Sequence, residues 1–266
     1  MTEWQISQMP FIVLDYRKMV GWVNKIRENN KLDKRLTNSE LDIEKHWTGL
    51  KMKLYFCRVS ELFRAMSKEQ LMEEIPKCRM KLADSYKNEA DQKRSLAASY
   101  LLGICMKEHG VSLSEKADVT NAGKLFFPYL DGFYVNLSHA DDFAVCACDE
   151  AEIGVDVEGI RAYKEKLFFK IASEKEKAQM DEIVNQEEKD IFFTRWWTRK
   201  ESAVKLTGIG IAGLLDDKKT AEIFTKEFQP CENCFLSVSS YHNAFCEEIT
   251  MISPCSHQSC VTSSDD

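Results

Sequence analysis

Ile153-Gly154-Val155-Asp156-Val157-Glu158 reads as a β-strand carrying two carboxylates on one side. Strand side chains alternate, so Asp156 and Glu158 project from the same face, roughly 7 Å apart along the chain. Downstream, Trp197-Thr198-Arg199-Lys200-Glu201-Ser202-Ala203-Val204-Lys205 follows a helical pattern. Glu201 and Lys205 are four residues apart there, so they share a helix face and can touch. Alone, that pair would be an exposed ion pair worth a few tenths of a kcal/mol. Three carboxylates and one ammonium brought together instead suit a hard divalent cation beside a phosphate-binding cation. Those are the groups needed for chemistry on a phosphoryl group.

The bulk composition sets the frame. With 266 residues, 44% hydrophobic and 30% charged, the chain can bury a substantial core as one large domain or two small ones. A net charge of -7 argues against a general nucleic-acid binder, whose footprint is basic. The start, Met1-Thr2-Glu3-Trp4, has no basic region followed by an apolar stretch, and no apolar run approaches the ~20 residues of a membrane span. A cytoplasmic, monomeric protein is expected, with no membrane or nucleic-acid partner. Ten cysteines without an export signal are expected to be reduced. Cys231-x-x-Cys234 with Cys246, Cys255, His257 and Cys260 could form a zinc set, but the spacings do not repeat as in a finger or ribbon. Buried thiols acting as small apolar groups are the favoured reading, and Cys146 and Cys148 alternate as strand core residues do.

Residues 1–48 are read as an N-terminal extension, with a short strand at Phe11–Leu14 and a weak helix at Arg17–Asn29. The pattern sharpens afterwards: a strand at Leu54–Val59, helical turns from Ser60 to Ile75, then a helix from Asn88 to His109 stopped by Gly110. Strands are expected at Tyr134–Leu137, Phe143–Cys148 and Ile153–Val157. Ser173-Glu174-Lys175-Glu176 has the form of a capping box. A further helix spans Glu188–Leu206, with Gly208 past its end. Strands near Ala221–Phe224, Phe235–Ser239 and Phe245–Ile252 close the fold before a polar tail, 254–266. A strand–helix–strands succession thus occurs twice, predicting an α+β fold of two pseudo-twofold-related halves, 49–151 and 152–253, packed face to face. The joint near Asp149-Glu150-Ala151 would then place Asp156 in the cleft between them.

Four blocks, taken together and in order, resemble those of the 4′-phosphopantetheinyl transferases of the two-lobed, surfactin-synthetase-activating type. They are Lys77-Cys78-Arg79 with Arg94; Gly123-Lys124 and Asn136-Leu137-Ser138-His139; Gly154-Val155-Asp156-Val157-Glu158; and Trp197-x-x-Lys200-Glu201-x-x-x-Lys205 with Gly208. The resemblance implies transfer of the phosphopantetheine arm of coenzyme A onto a serine of an apo acyl or peptidyl carrier protein, releasing adenosine 3′,5′-bisphosphate, with Mg²⁺ required. It implies Asp156, Glu158 and Glu201 as metal ligands, and catalysis by Glu201, Lys205 and Asp156. The general base would be Glu201 or a metal-bound hydroxide. It further implies coenzyme A contacts from Lys77, Arg94, Gly123, Lys124, Ser138, His139, Lys200 and Lys205. Arg94 and His139 would clamp the 3′-phosphate, Lys77 would add a cation, and Gly123-Lys124 would lie beside the adenine. Ser138-His139, expected at a helix or loop start, make a poor nucleophile–base dyad, because neighbours on a strand point to opposite faces. Trp196 and Trp197 are expected in the core.

Two positions depart from the family pattern: Glu74 stands where a basic residue is common, and Leu125 where proline is. Neither touches the carboxylates. A degenerate coenzyme A-binding paralogue and a metal-dependent nucleotide phosphohydrolase are the alternatives. Because carrier proteins are often acidic, docking to this acidic chain would lean on an apolar contact and a local basic patch.

Overall fold

The computed structural model describes residues 51–120, 123–208 and 222–253, all within one compact unit. The expected strand at Phe11–Leu14, the helix at Arg17–Asn29 and the tail 254–266 lie outside the described residues. The architecture is mixed α+β.

The first half runs β1 (Lys53–Arg58), α1 (Val59–Ala65), α2 (Lys68–Glu74), α3 (Lys77–Ser85), α4 (Glu89–Glu108), β2 (Asp118–Val119), β3 (Leu125–Phe126), β4 (Tyr134–Ala140) and β5 (Phe143–Asp149). The helical turns expected after β1 are two helices. The break falls at Ser67, whose hydroxyl and Gln70 side chain form a capping box. Helix α3 was not anticipated: it is short, polar on most faces, and opens on Pro76, which supplies no side-chain cap. Asn88 caps α4 by accepting from the Ala90 amide, and Gly110, with φ of 67°, takes the left-handed turn that ends it. Every residue from Ser95 to Met106 is buried, although the sequence pattern suggested a single apolar stripe. The other faces of α4 are covered because α1, α2 and α3 wrap it. Gly103 shows how closely: a Cβ there would lie 2.1 Å from the Glu74 carbonyl oxygen.

Strands β4, β5, β1 and β9 (Thr250–Met251) form one sheet in that order, and β9 runs parallel to β1. Strand β5 is buried along its whole length because both of its faces are packed. Ala144, Cys146 and Cys148 join the core around α4, while Phe143, Val145 and Ala147 enter a second core.

That second core is shared with β6 (Ile153–Gly159) and β8 (Cys234–Ser240), which with β7 (Phe224–Cys231) make the second sheet, ordered β6-β8-β7. Between β6 and β7 come α5 (Glu165–Ile171), α6 (Glu174–Asp181) and α7 (Gln186–Thr207). Ser173 and Glu176 close the expected capping box at α6. Trp196 is fully buried among Phe168 and Phe193, and Trp197 packs on the same cluster, as expected. Two C-terminal expectations need correction. Strand β7 begins at Phe224, where the Ala221–Phe224 strand was expected to end, and of Phe245–Ile252 only Thr250–Met251 is strand. Strand β7 is an edge strand with a register shift between Phe228 and Cys231 that accommodates Pro230, so it lacks a clean alternation.

Candidate active site

The site grows from β6. Ile153, Val155 and Val157 enter the second core, which turns Gly154, Asp156 and Glu158 to the opposite face. Helix α7 lies on that face, and Gly154 lets it come close: a Cβ at 154 would sit 2.1 Å from the Ser202 carbonyl oxygen and 2.4 Å from the Leu206 nitrogen. Buried hydroxyls fix the helix lengthwise. Thr198 and Ser237 share a hydrogen bond of 2.9 Å, and Ser202 and Ser239 one of 2.8 Å. Ser237 and Ser239 are the β8 partners of Asp156 and Gly154, so this ladder sets α7 in register with the carboxylate strand.

Lys205 is thereby delivered to Asp156, donating to Oδ1 at 2.7 Å. The same ammonium donates to Ser138 Oγ at 2.7 Å, and Ser138 donates to Asp156 Oδ1 at 2.9 Å. Ser138 lies on β4, correcting the expected helix or loop start, and the Asn136 side chain on the same strand accepts from the Val155 amide at 2.9 Å. These contacts join the edges of the two sheets. Glu158 receives Arg161 at 3.0 Å. Glu201 stands one turn before Lys205 on α7.

The electrostatics are those of crowded acids. Burial, then the charge of Asp156, pushes Glu158 up to about 7 despite Arg161. The same two causes raise Glu201, opposed by Lys205 and Arg161. Asp156 Oδ2 is buried and has no hydrogen-bond partner. A buried carboxylate oxygen left bare is unfavourable unless a cation supplies the missing partner. Carboxylates of the kind that Asp156, Glu158 and Glu201 carry suit a hard ion such as Mg²⁺, though the structure does not gather ligand atoms of all three within 4.8 Å of one another.

His139 follows Ser138 on β4. Burial and then the charges of Lys205, Arg94 and Arg79 hold its imidazole below the usual histidine range, and its Nδ1 is buried without a partner. Three cations around a neutral imidazole form a pocket for an anion. Arg94 is held by Asp91 and by the Asp141 carbonyl oxygen, and Arg79 donates to Ser99 at 3.1 Å. Arg79 stands in the first of the four blocks, for which the resemblance implies roles only for Lys77 and Arg94. Arg161 and the serine–threonine ladder were also missed; only burial distinguishes them from ordinary surface residues.

Other expected contacts lie apart from this cluster. Lys200 pairs with Glu176 at 2.9 Å and lies over the Trp196 ring, on the side of α7 facing α6. Lys77 is an exposed residue at the start of α3. Lys124 donates to the Leu206 carbonyl oxygen at 3.3 Å near the end of α7, and Gly123, with φ of 79°, makes the turn before it. Glu74 is paired with Lys107.

Comparison with known proteins shows what the chain is similar to. Residues 152–259 match the 4′-phosphopantetheinyl transferase superfamily. A 4′-phosphopantetheinyl transferase of Bacillus subtilis is 23% identical over 218 residues, spanning 75% of this chain and 97% of the relative. The 4′-phosphopantetheinyl transferase Sfp of Bacillus subtilis strain 168 is 25% identical over 76% of this chain and 98% of its own length. The 4′-phosphopantetheinyl transferase AcpT of Escherichia coli O157:H7 is 35% identical over 112 residues, 41% of this chain and 57% of AcpT. Among the described residues no helix is long and apolar enough to cross a membrane. The carboxylate strand lies inside the matched region and two relatives align over nearly their full lengths, so the chain is similar to enzymes of the 4′-phosphopantetheinyl transferase superfamily.

Proposed function

We propose that this protein transfers the phosphopantetheine arm of coenzyme A to a serine of an apo acyl or peptidyl carrier protein, releasing adenosine 3′,5′-bisphosphate. The observation that carries the reading is the bare, buried Asp156 Oδ2 beside Lys205, with Glu158 and Glu201 close by in charge. Asp156, Glu158 and Glu201 would hold Mg²⁺, which when bound neutralises the charge building on the pyrophosphate.

The chain's own groups supply the remainder. The new bond joins the carrier serine Oγ to the phosphorus bearing the pantetheine arm, and the pyrophosphate bridge to that phosphorus breaks. Glu201, whose carboxyl is raised by burial, accepts the serine proton. Lys205 balances the charge of the departing bisphosphate, and Ser138 holds the Lys205 ammonium in line. His139, Arg94 and Arg79 receive the 3′-phosphate, with Lys77 as an outer cation. Gly123 and Lys124 border the adenine. Lys200 acts at a distance, by fixing α7 against α6 through Glu176.

In this reading two pseudo-twofold-related halves, 49–151 and 152–253, form the transferase of a cytoplasmic monomer, and residues 1–48 are an extension. The test is direct. Apo carrier incubated with this protein, coenzyme A and Mg²⁺ should gain the mass of the phosphopantetheine arm. Intact coenzyme A with an unmodified carrier would indicate binding alone. Free bisphosphate without a modified carrier would indicate hydrolysis.

A further inference from the structure

On the far side of β5 from β6 lies a second cluster of ligand-type side chains that the transfer chemistry does not use. Cys105 and His109 sit one turn apart at the end of α4, so both point to the same side. Cys148 faces them from β5. One ligand atom from each of Cys105, His109 and Cys148 lies within 4.8 Å of the other two. Both cysteines are fully buried. Two sulfurs bound ~2.3 Å from a tetrahedral zinc are themselves roughly 3.8 Å apart, so a modest rotation of these side chains would close such a shell.

His109 Nδ1 donates to the Cys105 carbonyl oxygen at 2.6 Å and lies 3.9 Å from Cys105 Sγ, so the ring turns to present Nε2 when an ion binds. A backbone carbonyl on one ring nitrogen is the usual support for a metal-bound histidine. The Phe133 ring packs against the imidazole at 6.0 Å and holds its plane. Cys146, two residues before Cys148 on the same face of β5, lies in the same buried cluster. We propose that Cys105, Cys148 and His109 form a structural Zn²⁺ site that ties the C-terminal end of α4 to β5.

The proposal differs from treating these thiols as plain core filler. Filler needs only apolar neighbours, whereas here an imidazole at the helix end adjoins the two thiols. Two thiolates from Cys105 and Cys148 would neutralise a divalent zinc within the apolar layer. The donor set of sulfur and imidazole selects zinc over the hard ion suited to the carboxylates.

The test uses the full chain, stripped of metal under reducing conditions and titrated with Co²⁺ in saturating Mg²⁺ to occupy the carboxylates. One equivalent should give the intense visible absorption of tetrahedral cobalt and a sulfur-to-cobalt charge-transfer band, both abolished by Zn²⁺. His109→Gln and, separately, Cys148→Ala should weaken zinc affinity by at least about 100-fold, beyond the 10–100-fold of an outer-shell change. Cys231→Ala/Cys234→Ala should leave it unchanged. Circular dichroism checks that each variant is folded; His109 is half-buried at the helix end, so its variant keeps the test open if Cys148→Ala does not fold. Absence of thiolate bands, or bands that survive His109→Gln, would overturn the site.

Discussion

Helices α4 and α7 each lie across a sheet, yet different chemistry seats them. Helix α4 meets β5 through Leu96, Ala97, Leu101 and Cys105, apolar side chains that gain from burial and tolerate small displacements. Helix α7 meets β6 and β8 through Gly154, Thr198 and Ser202, where backbone nearly touches backbone and hydroxyls pair across the gap. Hydrogen bonds are directional and fail over tenths of an ångström, so the second seat fixes position where the first supplies bulk stability. The helix that is fixed in position carries Glu201 and Lys205. Accuracy is concentrated where charges must converge.

The largest effect expected on this contrast is chemical. Asp156→Asn keeps an oxygen for Ser138 and Lys205 but removes the carboxylate, so transfer should fall by roughly 10²–10³-fold with the melting temperature nearly unchanged. Next come two glycines that face backbone at the same 2.1 Å. Gly154→Ala must push α7 off β6, and transfer should fall by about 100-fold, the scale of a 1 Å misplacement. Gly103→Ala displaces only the end of α2, so it should cost a comparable 1–3 kcal/mol or so of stability while activity per folded molecule holds. Equal activity losses in the two would break the comparison. Third, Leu101→Ala in the apolar seat should destabilise by about 2–5 kcal/mol without altering turnover of the folded enzyme. Ser202→Ala should cost only about 1 kcal/mol yet lower the rate, because it releases Ser239 and lets α7 drift.

The smallest effect concerns the joint between the sheets. Burial raises Asp149 to about 6. A carboxyl whose folded value exceeds its unfolded one favours the fold at low pH, and that contribution is lost as pH rises from about 4 to 6. Asp149→Asn should therefore raise the melting temperature at pH 8 and change it far less at pH 4. A uniform change at both would remove burial as the cause.

The sequence already showed much of this site, because its determinants are local. Alternation put Asp156 and Glu158 on one face, helical spacing put Glu201 and Lys205 on one face of α7 (where Lys205 closes on Asp156 instead), and the α4 helix, the Ser173 capping box and β6 lie close to where their patterns set them. What escaped was non-local. The Ser237 and Ser239 hydroxyls look like surface residues until α7 covers them, Arg79 meets Ser99 only when α3 packs on α4, and Ser138 reaches Asp156 and Lys205 only when β4 meets β6. Ser138 and His139 were expected at a helix or loop start because such a start suits a phosphate contact, whereas β4 carries both. Edge strand β7 was misplaced for the opposite reason: its exposed side chains and Pro230 leave little apolar pattern to follow.

One measurement bears most directly on the claim that the bare Asp156 oxygen awaits a cation. A crystal of the protein grown with coenzyme A and Mn²⁺, with data collected for manganese anomalous scattering, would locate the ion. The account predicts a single strong peak bonded to Asp156 Oδ2 and flanked by Glu158, Glu201 and the pyrophosphate. A peak away from those carboxylates, or coenzyme A seated with Lys205 still closed on Asp156 and no ion between them, would contradict it.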